Sequence, residues 1–304
     1  MTSVQLPAGV GWTALLTAYG RAQESRETEP LFADPLAAAF VGAVRGDDAG
    51  GSGELPRLGP AVDDDSSSLW DGFRFYFTQR TPFYDQRIVS AVGAGCQQVV
   101  LLGAGLDSRA FRLDLPESVT VFELDQPSVL DFKQAVLARH SAVPACRRVP
   151  LAADLLADWP AILPAAGFDA ALPAVWVAEG LLMYLSRADA DRLLDRITAL
   201  AAPGSRIITE YFSKVWQDSD VVDETADSQD RAAWDLVRGS FLYGPIADHP
   251  AAWLSGHGWA PGEITTVAEL GRQSGRMVAL APGFGRPGCP QVWLLEGTYT
   301  DSAE

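Results

Sequence analysis

Residues 97–125 read QQVVLLGAGLDSRAFRLDLPESVTVFELD, and this stretch decides the fold class. Its apolar start predicts a buried strand, which is followed by a tight turn at Gly103 and Gly105 and by a short helix. A second apolar run predicts another strand that ends in Asp125. An α/β sheet forms a nucleotide cleft from these parts, because the glycines let the backbone approach the ligand and a carboxylate about 20 residues on can bind ribose hydroxyls.

The chain continues as an alternation of predicted helices and strands up to residue 212. The clearest helix follows Ser186, a good N-cap, with Asp189 at the capping-box position. Such alternation is typical of a parallel sheet with right-handed crossovers. Beyond the opening stretch we predict helices at 127–140, around 159–162, at 186–201 and at 251–259, and strands at 148–153, 174–178, 206–212, 264–270 and 292–299. The prediction is therefore an α/β fold with a Rossmann-like, seven-stranded, mostly parallel sheet.

A glycine or an acid stands at the end of each of the first four predicted strands. These residues are Gly103, Asp125, Asp154 and Glu179. In a parallel sheet, ligands bind beyond the carboxyl ends of the strands. Four such residues in succession favour a binding site over a set of unrelated loops.

Two regions outside the alternation are expected to complete the molecule. Residues 1–70 predict a helical N-terminal cap, with one helix at 12–24, a second starting at Asp34-Pro35, and a flexible acidic loop over 45–68. Residues 71–304 form the main predicted domain, with an insert at 213–250 that we expect to be a substrate lid. Acidic runs in the loop and in the insert are interpreted as solvated segments rather than metal sites, and no metal site is predicted.

Aromatic residues crowd the segment 70–92, where core packing explains most of them. Three arginines in that segment are harder to explain by packing alone, namely Arg74, Arg80 and Arg87. A guanidinium at the edge of an aromatic cluster is suited to bind a carboxylate with two parallel hydrogen bonds.

Composition excludes several classes of partner. The chain has 304 residues, of which 48% are hydrophobic, and a formal net charge of -16. So acidic a protein is not expected to bind nucleic acid or an anionic membrane. Three cysteines without metal-ligand spacing, and no apparent signal peptide or membrane span, predict a cytoplasmic protein with free thiols.

The glycine turn favours a nucleoside ligand without a pyrophosphate. A dinucleotide fingerprint would have a third glycine where Ser108 stands. A ring of carboxylates suits a ligand with a ribose and an amino-acid end, and S-adenosylmethionine is such a ligand. A nicotinamide-dependent oxidoreductase stays a remote alternative.

Most of the chain resembles the leucine carboxyl methyltransferase-like group of class I S-adenosylmethionine-dependent methyltransferases, which includes many actinobacterial members of unassigned substrate and polyketide carboxyl O-methyltransferases. The resemblance depends on GRAQESRETEPLFADP at 20–35, RTPFYD at 80–85, VVLLGAGLDSRAFRL at 99–113, VFELDQP at 121–127, AADL at 152–155, AEGLLMYL at 178–185 and HGWAP at 257–261.

The resemblance implies a role in S-adenosylmethionine binding for eight residues. By position, Arg80 resembles the arginine that binds the methionine carboxylate, Asp125 the ribose acid, and Glu179 the acid near the methionine end. The family also has a basic residue in its N-terminal helix, for which Arg21 is the candidate. The remaining matches are Gly103 and Gly105 under the cofactor and Asp154 and Leu155 beside the adenine.

The predicted activity is O-methylation of a small molecule, acidic or aromatic, with a carboxylate as the preferred acceptor. A carboxylate with a pKa of about 4 is ionised at neutral pH and needs no general base. A phenol or alcohol would need a general base. The main candidates for that base are Tyr243 and His249, and His257 and Asp248 are further candidates. Phenolic O-methylation in secondary metabolism, or a binding module without turnover, stay open. No catalytic residue and no oligomeric state follow from the sequence.

Overall fold

The computed structural model describes residues 10–45, 55–60, 67–221, 226–246, 248–276 and 288–300. A single sheet of seven strands lies at its centre. The strands are β1 (Gln98–Leu102), β2 (Thr120–Asp125), β3 (Arg147–Ala152), β4 (Ala174–Ala178), β5 (Arg206–Phe212), β6 (Trp259–Thr266) and β7 (Val292–Tyr299).

The strands lie side by side in the order β3-β2-β1-β4-β5-β7-β6. The first five are parallel, whereas β7 runs antiparallel to both β5 and β6. Leu102 at the end of β1 pairs with Leu124 in β2, so the glycine turn and Asp125 meet at one edge of the sheet. The predicted fold class is confirmed, because this is a mostly parallel Rossmann-like sheet.

Two apolar layers cover the two faces of the sheet. Val99 and Leu101 belong to the cluster on one face, and Val100 and Leu102 belong to the cluster on the other, as the two-residue period of a strand requires. Both clusters bury this strand completely. A strand enclosed on both faces has a continuous apolar sequence, which is the pattern that identified β1.

Helices pack on both faces of the sheet. Ser186 caps α7 by accepting a hydrogen bond from the Asp189 N–H, as predicted. The helices are α1 (Val10–Glu24), α2 (Pro35–Arg45), α3 (Ser68–Gly93), α4 (Arg109–Arg112), α5 (Pro127–Arg139), α6 (Ile162–Ala165), α7 (Arg187–Leu200), α8 (Asp218–Val221), α9 (Ser228–Arg238), α10 (Pro250–Gly256) and α11 (Val267–Gln273). A 3₁₀ turn, Leu182–Tyr184, follows β4.

The aromatic segment, to which the sequence assigned no secondary structure, forms the 26-residue helix α3. Most of its aromatic side chains are buried, as expected, and Pro82 lies inside the helix. Helix α3 packs against α1, β4, β5 and β7. It therefore connects the N-terminal helices to the sheet.

Helix α9 contacts both the segment 55–60 and the start of α3 through Asp230. Asp230 accepts hydrogen bonds from Ser67 Oγ at 2.6 Å and Trp70 Nε1 at 2.7 Å, and forms an ion pair with Arg57 at 3.1 Å. Asp227, at the start of the same helix, accepts hydrogen bonds from two backbone N–H groups, so it is a helix cap as its acidic run suggested.

The last third of the chain corrects two predictions. The helix predicted at 251–259 ends at Gly256, and Trp259 begins β6. The strand predicted at 264–270 covers only the end of β6, because Thr266 caps α11 through the Glu269 N–H. Helix α11 was therefore mistaken for strand.

Some predictions concern residues outside the described ranges. They include most of the acidic loop at 45–68, two acids of the insert, and most of the loop between α11 and β7. The division at residue 70 and the lid role of residues 213–250 stay predictions. Within the described ranges, no helix is long and apolar enough to cross a membrane.

Candidate functional site

A cavity of about 340 Å³ lies at the carboxyl ends of the parallel strands. Its lining includes all eight residues predicted to bind a cofactor: Arg21, Arg80, Gly103, Gly105, Asp125, Asp154, Leu155 and Glu179. The fold thus brings together side chains that are up to 158 positions apart, from Arg21 to Glu179. Helix α1 forms part of the same wall, with Ala14 facing the glycine turn.

The glycine turn and Asp125 form one hydrogen-bonded unit. Gly103 and Gly105 have φ values of 65° and 47°, which glycine adopts without steric cost. Asp125 Oδ2 accepts the Gly105 N–H at 2.6 Å, and its Oδ1 accepts the Gln126 N–H at 2.7 Å. Burial raises the pKa of Asp125, and the two N–H groups act in the opposite direction. Each carboxylate oxygen retains lone-pair capacity for a hydroxyl of a ligand.

Asp154 lies at the open side of the cavity. Its side chain is exposed and accepts the Leu156 N–H at 2.9 Å, so it shapes the loop after β3. Leu155 is half-buried within this loop. The pair provides a polar edge and an apolar contact next to the Asp125 unit.

Arg80 is positioned by three neighbouring side chains. Its Nη1 donates to Glu210 Oε1 at 2.5 Å and to Tyr76 Oη at 2.6 Å, and its Nε lies 3.1 Å from Glu179 Oε1. Burial acts to lower the pKa of Arg80, but Glu210 and the other nearby groups raise it, so the guanidinium is charged. Among the described residues, Nη2 has no hydrogen-bond partner, although Arg80 lines the cavity.

Glu179 bridges two arginines. Its second carboxylate oxygen lies 2.6 Å from Arg109 Nη1, and Arg109 also binds Asp107 and Asp85. Burial alone would raise the pKa of Asp107, because it disfavours the charged carboxylate. The nearby Arg109 guanidinium outweighs burial and lowers this pKa to about 2. The floor of the cavity is consequently a network of paired arginines and carboxylates.

Arg21 closes that network at the N-terminal helices. Its Nε pairs with Asp34 at 2.8 Å, and its Nη2 donates to the Leu106 carbonyl at 2.7 Å. The guanidinium therefore links α1 to the end of the glycine turn. Arg21 therefore stabilises the cavity wall, and its Nε and Nη2 donate to groups of the protein itself.

Sequence reasoning missed four residues of this network: Tyr76 and Asp107, which line the cavity, and Arg109 and Glu210, which lie behind it. Tyr76 lies four positions before Arg80, which puts the two on the same side of a helix, but no helix had been predicted there. Glu210 was visible as an acid inside the apolar strand IITEYF. An acid within a buried strand needs a partner, which is a signal that the sequence offered.

The other half of the cavity is apolar and aromatic. Its wall includes Phe77, Tyr184, Phe212, Trp216, Trp234 and Phe241. The Phe212 and Phe241 rings lie 5.3 Å apart, and the Phe212 and Trp216 rings 5.8 Å apart, both edge to face. Three of the six come from residues 213–250, so the insert forms much of this wall.

The candidates for a general base lie elsewhere. Tyr243 packs behind the wall against Phe212 and Phe241, with its ring centroids 6.1 and 5.6 Å from theirs, and it does not line the cavity. His249 caps α10 by accepting the Ala251 N–H at 3.3 Å. His257 ends the same helix and contacts two aspartates of α7, and Asp248 pairs with Arg187.

Two of the three arginines in the aromatic segment also lie away from the cavity. Arg74 pairs with Glu27 at the surface. Arg87 pairs with Glu263 and stacks over the Phe83 ring at 3.6 Å. Arg80 alone of the three lines the cavity.

The fold and the site together define a class I S-adenosylmethionine-dependent methyltransferase. A family model described as leucine carboxyl methyltransferase matches residues 14–198. The chain belongs to the leucine carboxyl methyltransferase family, and the family and cofactor predicted from the sequence are confirmed. The family does not support the nicotinamide alternative.

Relatives agree with that assignment, and a solved structure has a similar fold. A protein of Mycobacteroides abscessus is 40% identical over 92% of this chain and 89% of its own length, and one of Parafrankia is 42% identical over 86% and 81%. Both are named provisionally as S-adenosyl-L-methionine-dependent methyltransferases. The fold is similar to that of a provisionally named methyltransferase from Thermobifida fusca, with a TM-score of 0.52, 16% identity and coverage of 98% of this chain and 100% of the other.

Proposed function

We propose that this protein methylates a carboxylate of an apolar, small-molecule acid with S-adenosylmethionine as the methyl donor. The observation that carries the proposal is the division of one cavity into a polar half at the strand ends and an aromatic half, whose described lining residues include no basic side chain. The polar half would hold the cofactor, and the aromatic half would hold the acceptor.

The residues of the polar half fit the cofactor. Asp125 offers two oxygens to the ribose hydroxyls, and the loop at Asp154 and Leu155 offers a polar edge and an apolar face to the adenine. Arg80 offers Nη2 to the methionine carboxylate, and Glu179 offers a carboxylate to the methionine ammonium. A Cβ at Gly103 would lie 3.3 Å from the Leu181 side chain, and the φ of 65° there favours glycine.

When bound, the cofactor supplies an electrophilic methyl group on a sulfonium, which a carboxylate oxygen takes while the electron pair of the C–S bond stays on sulfur. The protein then has two tasks, to align the oxygen with the methyl group and to exclude water. The aromatic wall performs the second task. Neutralisation of a cation by an anion is also favoured in surroundings of low polarity.

The groups that line the cavity do not suit removal of a proton from a phenol. No histidine is among the described lining residues. Burial raises the pKa of both Tyr76 and Tyr184, so these phenols stay protonated. Arg109 lowers the pKa of Asp107, so Asp107 is a weak base. Glu179 is paired with two arginines. An acceptor that is already ionised avoids this difficulty.

The test is methyl transfer from labelled S-adenosylmethionine to a panel of aromatic and aliphatic acids, with phenols of matched size alongside. We expect label in a product that mild base hydrolyses, as a methyl ester does. Asp125→Asn should abolish transfer and S-adenosylhomocysteine binding, whereas Asp235→Asn, an exposed acid of α9, should change neither. A base-stable ether as the main product would overturn the carboxylate and favour the phenol.

A further inference from the structure

Glu210 is a fully buried carboxylate behind the floor of the cavity. It lies on β5, its side chain has no solvent exposure, and it is not among the residues that line the cavity. The interior of a central strand is an unfavourable place for a carboxylate, since burial costs free energy unless the group is paired. Burial raises the pKa of Glu210, and Arg80 opposes that rise.

One oxygen of Glu210 accepts three hydrogen bonds. The donors to Oε1 are Arg80 Nη1 at 2.5 Å, Tyr76 Oη at 2.7 Å and the Gly180 N–H at 2.8 Å. Gly180 directly follows Glu179 and has a φ of 63°. A single atom of Glu210 therefore fixes an arginine, a tyrosine and the turn after β4.

These bonds determine where the free edge of Arg80 lies. Nη1 has two hydrogens, and its two acceptors are Glu210 and Tyr76. Because a guanidinium is planar, fixing Nη1 and placing Nε beside Glu179 also fixes the direction of Nη2. Nε has no hydrogen bond but forms the ion pair with Glu179, whereas Nη2 has neither a hydrogen bond nor an ion pair in the described part of the chain, on a side chain that lines the cavity.

We propose that Glu210 is a positioning residue for the amino-acid end of the cofactor, which acts by holding Arg80 with Nη2 directed at the ligand carboxylate. Tyr76 supports the same orientation through its hydroxyl. The inference rests on the proposed cofactor site, because it requires that Arg80 meets the methionine carboxylate.

A substitution at Glu210 can separate this role from general stabilisation of the fold. Oε2 of Glu210 is buried without a hydrogen-bond partner among the described residues. The amide nitrogen of Glu210→Gln can take the place of Oε2, so the variant keeps Oε1 as an acceptor and loses only the charge. A neutral acceptor holds a guanidinium less firmly than a carboxylate does.

The experiment compares two ligands by calorimetric titration of wild type and variant. S-adenosylhomocysteine has the amino-acid end, and methylthioadenosine has the same nucleoside and sulfur without it. We expect Glu210→Gln to raise the Kd of S-adenosylhomocysteine by about tenfold, the scale of one weakened charge-assisted hydrogen bond, and that of methylthioadenosine by less than about twofold. Tyr76→Phe should show the same selectivity with a smaller loss.

Glu123→Gln is the matched control. Glu123 is also a fully buried glutamate on a central strand, paired with Lys133 at 2.7 Å and Arg148 at 2.8 Å, but it does not line the cavity or contact Arg80. The Kd ratio of the two ligands should be unchanged in this variant.

If Glu210→Gln raises the Kd of both ligands by the same factor, or changes neither Kd, the positioning role is overturned. If Glu210→Gln does not fold, Tyr76→Phe decides in the same way through its own ratio of Kd values. A wild-type protein that binds neither ligand would refute the proposed function itself, whereas one that binds both, with an unchanged ratio in the variants, refutes only the role of Glu210.

Discussion

Replacing Asp230 by alanine should destabilise the protein far more than replacing its neighbour Asp235. Asp230 is buried and accepts hydrogen bonds from Ser67 and from the buried indole of Trp70, besides its ion pair with Arg57. The substitution removes the acceptor and leaves these donors in place. The hydrogen bonds from α9 to the start of α3 would be lost, whereas Arg57 would keep its bonds to Asp227 and Gln229.

The magnitude follows from what each donor can do afterwards. The Trp70 indole lies in the core, so its unpaired N–H costs about 1–3 kcal/mol. Arg57 has a side chain that is 31% exposed and regains water, so it contributes less. With the loss at Ser67, the free energy of unfolding should fall by about 3 kcal/mol, which in a chain of this length lowers the melting temperature by about 5 °C.

Thermal and urea unfolding, followed by circular dichroism, measure the effect. Asp235→Ala is the control, because Asp235 lies on the same helix and pairs with Arg238 at 3.2 Å but has a side chain that is 65% exposed. The control should change the free energy of unfolding by less than about 0.5 kcal/mol. Equal effects of the two variants would refute the reasoning that burial decides the role of Asp230.

Three further predictions concern the cavity. Burial acts to raise the pKa of Asp107, but Arg109 lowers it from 3.8 to about 2. This shift contributes about 2 kcal/mol to the free energy of unfolding above pH 4, and the contribution is lost as the pH falls through 2. Asp107→Asn should therefore flatten the fall of unfolding free energy across that range, and parallel curves for the two proteins would contradict this. Gly103→Ala should cost about 1–2 kcal/mol, since its φ is 65°, and should weaken S-adenosylhomocysteine binding, whereas Gly93→Ala, where a Cβ meets no atom within 4 Å, should do neither. Trp234→Ala should cost about 3 kcal/mol or more in unfolding free energy yet change the Kd of S-adenosylhomocysteine by less than about twofold, and a loss of about tenfold would place the cofactor against the aromatic wall instead.

The opening stretch could be predicted because each of its signals is local. Strand β1 is buried on both faces and is therefore apolar throughout, and the turn needs glycine for its backbone conformation. Parallel topology then places Asp125, Asp154 and Glu179 at the same edge without knowledge of any contact. These acids and the glycine turn all line the cavity.

Helix α3 could not be recognised in the same way. Its buried side chains lie all around the helix, so the sequence shows no apolar stripe with a 3.6-residue period. Aromatic residues favour strands, and Pro82 argues against a helix interior. For α11, the β-branched run before Val267 suggested a strand, and the capping box from Thr266 to Glu269 was overlooked.

The floor of the cavity was beyond prediction for a different reason. Glu210, Arg80 and Gly180 come from three separate elements, and Arg109 meets Glu179 across 70 positions of sequence. No local pattern specifies which buried acid pairs with which arginine. The packing of α3 and α4 against the strand ends decides it.

Because α1 forms part of the cavity wall, a shortened version of this protein needs α1 to keep the cavity complete. A fragment that starts at Ser68 would keep every strand of the sheet and each acid at the strand ends. It would lose Ala14, which lies next to Gly105, since a Cβ at Gly105 would be 3.5 Å from it. It would also lose the hydrogen bond from Arg21 to the Leu106 carbonyl. Truncations and chimeras intended to retain the nucleoside site should therefore begin upstream of α1.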